Sequence, residues 1–209
     1  MRLLRLLAPA VAALALSACA TSPYTGPVEV TRFVAADQAA QLGRGTIALE
    51  FPDEVSNESA RSAFSRAVGA ELSRLGYTVV DSPAAASQTA AIRTSRTAIA
   101  ATEERRGPVS VGVGGSTGSF GSGLGMGVGI NLGGGSEGPA VMTLLEVRIN
   151  GAGGTSLWEG RSQISTGVKS PYSNVDVSAR TLAAGLFKDF PGGNGETVTI
   201  SVKKLQGSK

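Results

Sequence analysis

Side chains able to do acid–base or nucleophilic chemistry are scarce in this sequence, and none stands in a catalytic pattern. The 209 residues include no histidine and one cysteine. This composition excludes Ser-His and Cys-His catalytic devices, imidazole metal sites and an internal disulfide. A serine nucleophile would need a lysine base instead, and no lysine occurs before Lys169. The adjacent acids Asp53-Glu54 and Glu103-Glu104 stand in polar turns where carboxylates stay solvated, so we predict no catalytic residue, no metal site and no cofactor.

The glycine-rich motifs do not fit a nucleotide site or a nucleophile elbow. Residues 133–138 match the Gly-x-Gly-x-x-Gly spacing of dinucleotide-binding loops, but such a loop opens a helix, and here Pro139 and a β-type run follow. Gly-x-Ser-x-Gly occurs around Ser116 and around Ser136, and neither match lies at a strand-to-helix turn. We therefore expect no nucleotide binding and no serine hydrolase chemistry from these motifs.

The N-terminus has the organisation of a secretory signal followed by a lipidation site. Two arginines precede an apolar stretch at 6–16, which is too short to span a membrane as a helix. The next residues, Leu16-Ser17-Ala18-Cys19, resemble the bacterial lipoprotein box, in which small residues precede the cysteine that receives the lipid. The only cysteine of the chain stands at the one position where this chemistry needs a thiol. We predict that Cys19 carries acyl chains, such as palmitate, which anchor the chain by burying many CH₂ groups.

The charge balance argues against nucleic-acid binding, and the residue after Cys19 indicates the location of the protein. Removal of the signal with its two arginines lowers the formal charge from +3 to about +1, so no strongly basic domain remains to bind nucleic acid. Cys19 is followed by Ala20 and not by the aspartate that retains bacterial lipoproteins at the inner membrane. We expect an outer-membrane lipoprotein whose domain faces the periplasm and whose partner, through the lipid, is the membrane.

A glycine-rich insertion at 107–138 is the most unusual part of the chain, with 14 glycines and no charged residue between Arg106 and Glu137. Apolar side chains alternate with small ones along two arms, which is typical of a strand with one apolar and one nearly bare face. These apolar side chains are Val109, Val111, Val113, Leu124, Met126, Val128, Ile130 and Leu132. The insertion is either a β-hairpin that docks on a partner, another copy or the membrane, or a flexible loop, since glycine weakens strands.

Periodicity and turn residues predict the elements of the domain. Apolar residues three and four apart predict a helix at 58–75, between a cap at Ser56 or Asn57 and Gly76, and a second helix at 175–190. Strands are predicted at 28–34, 46–51, 77–80, 89–101, 141–150, 156–165 and 197–202. Trp158, the only tryptophan, is predicted to lie in the core.

This order of elements predicts an α+β fold, with a mostly antiparallel sheet, two helices packed on one face and a Gly-rich β-hairpin or loop insertion. The predicted layout is a lipoprotein signal peptide at 1–18, a lipidated tether at 19–27 and a single α+β domain at 28–205, with the Gly-rich insertion at 107–138.

Four features of the chain occur together. They are the lipoprotein box, a helix that ends at Leu75-Gly76-Tyr77 before a Val-Val strand, the central glycine-rich stretch, and a tail pattern. The tail pattern consists of Leu144-Leu145-Glu146-Val147, Leu157-Trp158-Glu159-Gly160 and Leu186-Phe187-Lys188-Asp189-Phe190-Pro191. Over about 33–193 the chain thereby resembles a bacterial lipoprotein family, the group known as domain of unknown function 4136.

The resemblance implies an α+β fold and a lipid anchor, and it brings no established activity and no catalytic residues to transfer. Members of the family often carry aromatic residues among the glycines, where this chain has only Phe120.

Three functions stay open from the sequence. The first is a lipid-anchored structural or interaction module without enzymatic activity, which binds an unknown protein partner. The second is a homo-oligomer that self-assembles through the glycine-rich hairpin. The third is a small-ligand-binding or hydrolytic domain with a site under the sheet.

Overall fold

The computed structural model describes residues 23–53, 57–99 and 138–206, and it confirms the α+β class. The strands in these ranges are β1 (Thr25–Val34), β2 (Thr46–Glu50), β3 (Thr78–Val80), β4 (Gln88–Ile99), β5 (Ala140–Asn150), β6 (Ser156–Gly167) and β7 (Thr197–Ile200). The helices are α1 (Glu58–Arg74), α2 (Val175–Phe187) and α3 (Val202–Gln206). The predicted insertion at 107–138 lies outside the described residues except for Gly138, so the choice between hairpin and loop stays a prediction.

The seven strands form one mixed sheet in the order β3-β2-β4-β5-β6-β1-β7. Strand β2 runs parallel to β3 and to β4, whereas the remaining neighbours are antiparallel. The prediction of a mostly antiparallel sheet was therefore wrong. The physical reason is the connection through α1. A helical crossover carries the chain back to the end of the sheet where β2 begins, so β3 runs in the same direction as β2.

The predicted hairpin of β5 and β6 lies at the centre of the sheet. Side chains of β5 alternate between the two faces, and Leu145, Val147 and Ile149 are buried on the face that the helices cover. The opposite face carries cross-strand ion pairs, of which Arg148 to Glu159 at 2.8 Å is the shortest between these two strands. The hairpin therefore has one apolar and one charged face, as its alternating sequence predicts.

Helix α1 begins and ends close to the predicted residues. The Asn57 side chain accepts a hydrogen bond from the Ala60 N–H at 3.1 Å, which satisfies one of the free amides of the first turn. Gly76 follows the helix with φ +104°, and a Cβ at this position would lie 2.7 Å from the carbonyl oxygen of Gly43. Only glycine fits there without strain, because an L side chain disfavours positive φ and would meet a rigid backbone atom.

Helix α2 ends at Phe187, three residues before the predicted end. Lys188 already has an extended conformation, with φ −62° and ψ 130°, and Pro191 disfavours helical geometry at Phe190. Phe190 nevertheless reaches the core from the following turn, where its ring centroid lies 5.2 Å from that of Trp158. The apolar periodicity therefore predicted correctly that Phe190 packs against the core, and it predicted a helix that is three residues too long.

The core lies between the sheet and helices α1 and α2. Trp158 is 0% exposed, stacks on Phe187 with ring centroids 5.5 Å apart, and donates its indole N–H to the carbonyl oxygen of Pro191 at 2.9 Å. The prediction that Trp158 is a core residue is confirmed. Other large buried side chains are Phe64, Ile47, Leu72, Ile92, Leu145, Ile149, Leu157, Ile164, Leu182 and Leu186.

Candidate functional site

The described residues that flank the predicted tether and the predicted insertion meet at one end of the sheet. Strand β4 ends at Ile99, which pairs with Ala140 at the start of β5, and Ala140 pairs with Gly167 at the end of β6. The Gly167 N–H donates to the carbonyl oxygen of Tyr24 at 2.9 Å, so β1 begins at the same place. We call the end formed by Tyr24, Ile99, Ala140 and Gly167 the insertion end.

Strand β1 begins at Thr25, three residues before the predicted start and inside the segment predicted as a tether. Thr25 pairs with Thr166, which extends the main-chain ladder of β6. Gly26 permits this close approach, because a Cβ there would lie 2.9 Å from the carbonyl oxygen of Ser165. Residues 25–27 therefore belong to the sheet, which brings the N-terminal segment to the insertion end.

The loop Gly167–Ser173, which we call the tip loop, projects from the insertion end and is held by hydrogen bonds. The Val168 N–H donates to the Pro139 carbonyl oxygen at 3.1 Å, and the hydroxyls of Thr25 and Ser170 lie 2.7 Å apart. The Ser173 hydroxyl donates to the carbonyl oxygens of Val168 at 2.9 Å and of Ser170 at 2.7 Å. The Thr25 contact ties the tip loop to β1 and the Pro139 bond ties it to the residue before β5, while the Ser173 bonds lie within the loop.

The tip loop exposes an apolar side chain beside a cation. Val168 is 46% exposed, and Lys169 and Pro171 are also exposed. Helix α3 lies against the same loop, because the Gln206 amide donates to the Tyr172 hydroxyl at 2.5 Å. An apolar and cationic surface of this kind can contact a partner, and it contains no group arranged for acid–base chemistry.

A cavity of about 480 Å³ lies beside the first residues of α1 and α2. Arg93 and Arg96 of β4 line it, and Arg93 is paired with Asp53 at 2.5 Å. The Arg96 guanidinium donates to the carbonyl oxygen of Ser173 at 2.6 Å, and burial lowers the pKa of Arg96 below its usual value. Both arginines thus have partners, and Asp53 is ion-paired and exposed, which does not suit a general acid or base.

A second groove, of about 560 Å³, lies between α1, α2 and α3. Small side chains such as Ala63, Ala67 and Ala184 line it, and Arg66 and Asp176 form an ion pair of 2.8 Å beside it. Both charged side chains are well exposed, so the groove resembles a helix–helix surface more than a reaction site.

Neither a metal cluster nor a membrane-spanning helix occurs in the part of the chain that the structure describes. Across 23–53, 57–99 and 138–206, no three His, Cys, Asp or Glu side chains are grouped to hold a metal ion. Within the same ranges, no helix is both long and apolar enough to cross a membrane.

The residues predicted from sequence as sites all lie outside the described ranges. These are the box Leu16, Ser17, Ala18 and Cys19, and the apolar residues Val109, Val111, Val113, Leu124, Met126, Val128, Ile130 and Leu132. The sequence alone did not reveal that the predicted tether and the predicted insertion both leave the sheet at the same end. The one available signal was the pair of strands that flank the insertion, since consecutive antiparallel strands place the insertion at their shared end.

Comparison with known proteins gives distant structural likenesses. No family model matches the chain, and no curated protein matches it. A PDZ domain protein from Parabacteroides distasonis ATCC 8503 is 16% identical with a TM-score of 0.46, and the match covers 90% of this chain and 41% of that protein. The chain thus spans less than half of the length of that protein.

Two structures of the PelC dodecamer from Paraburkholderia phytofirmans also match, one of them a single-substitution variant. Their identities are 12% and 11%, with TM-scores of 0.40 and 0.39. Each match covers 76% of this chain, and 92% and 93% of the respective PelC chains. Since these likenesses carry no family assignment, the resemblance to the 4136 group stays a prediction.

Proposed function

We propose that the chain is a lipid-anchored lipoprotein of the outer membrane, with its domain facing the periplasm, and that it acts as a structural or interaction module and not as an enzyme. The observation that carries the proposal is the sequence Leu16-Ser17-Ala18-Cys19, in which the only cysteine of the chain occupies the lipidation position. The absence of histidine from the whole sequence supports the non-enzymatic part of the proposal.

The position of Tyr24 supports a module that works close to the membrane. Five residues lead from Cys19 to Tyr24, and an extended chain of this length reaches at most about 18 Å. Tyr24 bonds to Gly167 at the insertion end, where Ile99 and Ala140 also lie. A lipid on Cys19 therefore holds the flanks of the insertion within a short distance of the bilayer.

The apolar residues of the insertion are the proposed contact with a partner. We propose that these eight apolar side chains, which stand in a stretch without charge, form the contact surface, because apolar side chains are unfavourable when left in water. We place a protein partner, or a second copy of the chain, on this surface.

The anchor is tested by a Cys19→Ser substitution in cells that make the full-length chain. We expect the wild-type protein in the outer-membrane fraction with a mass increased by lipid, and the variant as a soluble or unprocessed protein. Ser22→Ala is the matched control, because it changes the same segment and keeps the thiol. A processed Cys19→Ser protein that remains bound to the membrane would contradict lipid anchoring.

The contact surface is tested by substituting one apolar residue of the insertion with a charge. Val128→Lys and Ile130→Lys should each abolish crosslinking from the insertion to its partner, because burying an unpaired ammonium costs several kcal/mol, on the order of 3–5. Native mass in mild detergent separates the two partners. An oligomer that becomes monomeric in both variants identifies a second copy, and unchanged crosslinking in both variants rejects the surface.

A further inference from the structure

We propose that the tip loop, Gly167–Ser173, rests directly on the surface of the bilayer that holds the anchor, so that the insertion end faces the lipid. This inference rests on the proposed lipid anchor and goes beyond it, because an anchor alone leaves the domain free to take any orientation. The partner is an anionic phospholipid surface.

The tether limits which part of the domain can meet the bilayer. Tyr24 is fixed to Gly167 by a main-chain hydrogen bond of 2.9 Å, so the N-terminal segment leaves the sheet beside the tip loop. The chain from Cys19 to Tyr24 reaches at most about 18 Å. The opposite end of β5, at Asn150, lies about 34 Å from Ala140, because ten residue steps separate them in an antiparallel strand. The insertion end is therefore the closest end to the lipid.

The charge of this surface complements anionic headgroups. The described segments that carry its charge are the tip loop, Gly167–Ser173, and helix α3, which is bonded to that loop through Gln206 and Tyr172. Together these segments carry three lysines, Lys169, Lys203 and Lys204, and no acidic residue. All three lysines are exposed. Basic residues next to a membrane anchor are attracted to the negative surface potential of anionic lipids.

Of the described acidic residues, some lie at the opposite end of the sheet and others form ion pairs. Asp37 and Asp189 lie at the opposite end of the sheet, after β1 and α2 respectively. Asp53 and Asp176, near the first residues of the long helices, form ion pairs with Arg93 and Arg66. The acids near the insertion end are thus partly neutralised by these pairs, and the cationic tip loop remains exposed.

The tip loop also has the apolar chemistry of an interfacial contact. Val168 is 46% exposed, Pro171 is exposed, and Tyr172 is partly buried with its hydroxyl bonded to Gln206. Apolar, tyrosine and lysine side chains together are characteristic of surfaces that sit at headgroup level. The Thr25–Ser170 and Ser173–Val168 hydrogen bonds hold the loop in place, so little conformational entropy is left to lose on contact.

The experiment uses the lipidated full-length protein in vesicles of phosphatidylethanolamine and phosphatidylglycerol that contain spin-labelled lipid. Once lipid occupies Cys19, an introduced cysteine is the only free thiol and can carry a fluorophore. The reporter is Pro171→Cys, with Val168→Cys as a second reporter, and the matched control is Ala152→Cys in the exposed turn after β5. We expect quenching about threefold stronger at the reporters, because interfacial groups lie within about 10 Å of the headgroups and position 152 lies about 34 Å farther away.

A charge-reversed tip loop completes the test. Val168→Asp combined with Lys169→Glu should lower quenching at position 171 to the level of position 152, while Lys188→Glu at the opposite end should leave it unchanged. The protein should float with the vesicles in every case. Equal quenching at positions 171 and 152 in a protein that floats overturns the docking and leaves the anchor intact. A protein that does not float overturns the anchor, and the proposed orientation fails with it.

Discussion

At the residue scale, Arg32 is the most informative side chain of the described chain. It is 5% exposed, and its guanidinium donates to the carbonyl oxygens of Leu186 and Gly185, each at 2.8 Å. Burial lowers the pKa of Arg32, whereas the negative charge of Asp189 raises it. These bonds add donors to carbonyls of the last turn of α2, where Gly185 also accepts from the Lys188 N–H at 3.4 Å. The sequence carried one signal for this role, because Arg32 shares its alternation with the buried Val28 and Val30.

Substitution of Arg32 by methionine should destabilise the fold, since it keeps much of the apolar stem and removes both hydrogen bonds. We expect a loss of about 1.5–3 kcal/mol in the free energy of unfolding, as for hydrogen bonds from charged groups. Urea unfolding measures this loss. Arg44→Met, at an exposed position, is the control and should be neutral. Equal stability of the two variants would mean that water bonds to the Leu186 and Gly185 carbonyls in place of Arg32, with no loss of free energy of unfolding.

Packing around Trp158 explains why position 160, two residues later on the same strand, is a glycine. A Cβ on Gly160 would collide with the ring of Trp158 and lie 2.7 Å from Leu186 Cδ1. The glycine therefore makes room for the indole ring on the same face of β6.

We expect Gly160→Ala to lower the free energy of unfolding by about 1–3 kcal/mol through overpacking. Thermal or urea unfolding followed by Trp158 fluorescence gives the value. Gly138→Ala is the matched control, because a Cβ there meets no atom within 4 Å. A neutral Gly160→Ala would show that the indole can shift without strain.

At the element scale, each long helix is preceded by an asparagine whose side chain accepts hydrogen bonds from N–H groups of the first turn, which have no partner within the helix. The Asn174 side chain accepts hydrogen bonds from the N–H groups of Asp176 at 3.0 Å and Val177 at 3.3 Å. The cap also fixes the point where the chain leaves the tip loop and enters α2.

Asn174→Ala should cost about 1 kcal/mol of stability, the usual value for a lost N-cap. Asn174→Ser keeps an oxygen that can accept the same bonds and should stay within about 0.5 kcal/mol of the wild type. Denaturant titration of the three proteins under one set of conditions provides the comparison. Identical losses for alanine and serine would contradict the capping role.

At the scale of the whole molecule, the described residues on the two sides of the glycine-rich insertion share one apolar core. The buried apolar cluster draws its members from both sides of the insertion, for example Phe64 of α1 and Leu182 of α2. Ile99 and Ala140 are paired neighbours, so a short turn can connect β4 to β5.

Deletion of residues 107–138 should therefore leave a cooperative unfolding transition. We expect the shortened chain to be about 1 kcal/mol more stable, because closing a shorter loop costs less entropy. Calorimetry of both lipidated proteins in mild detergent measures the change, and native mass in the same samples reports any loss of oligomers. A broad, non-cooperative transition would place the insertion in the core and contradict its role as a contact element.

Local periodicity was sufficient for most elements of this fold. The apolar spacing of Phe64, Val68 and Leu72 predicts α1, and the alternation through Leu145 and Val147 predicts β5, because burial on one face needs only the repeat of the element itself. The lipoprotein box can likewise be recognised without tertiary structure, since a peptidase acts on a short linear motif that contains the thiol.

The order and direction of the strands, and the contacts between distant segments, could not be predicted from local periodicity. The parallel pairing of β2 with β3 and β4, the bonds of Arg32 to α2, and the approach of Tyr24 to Gly167 all join residues that are far apart along the chain. Such contacts depend on which surfaces pack together, and no local repeat encodes that choice. Only tertiary structure therefore brings the N-terminal segment, the insertion flanks and the tip loop to one end of the sheet.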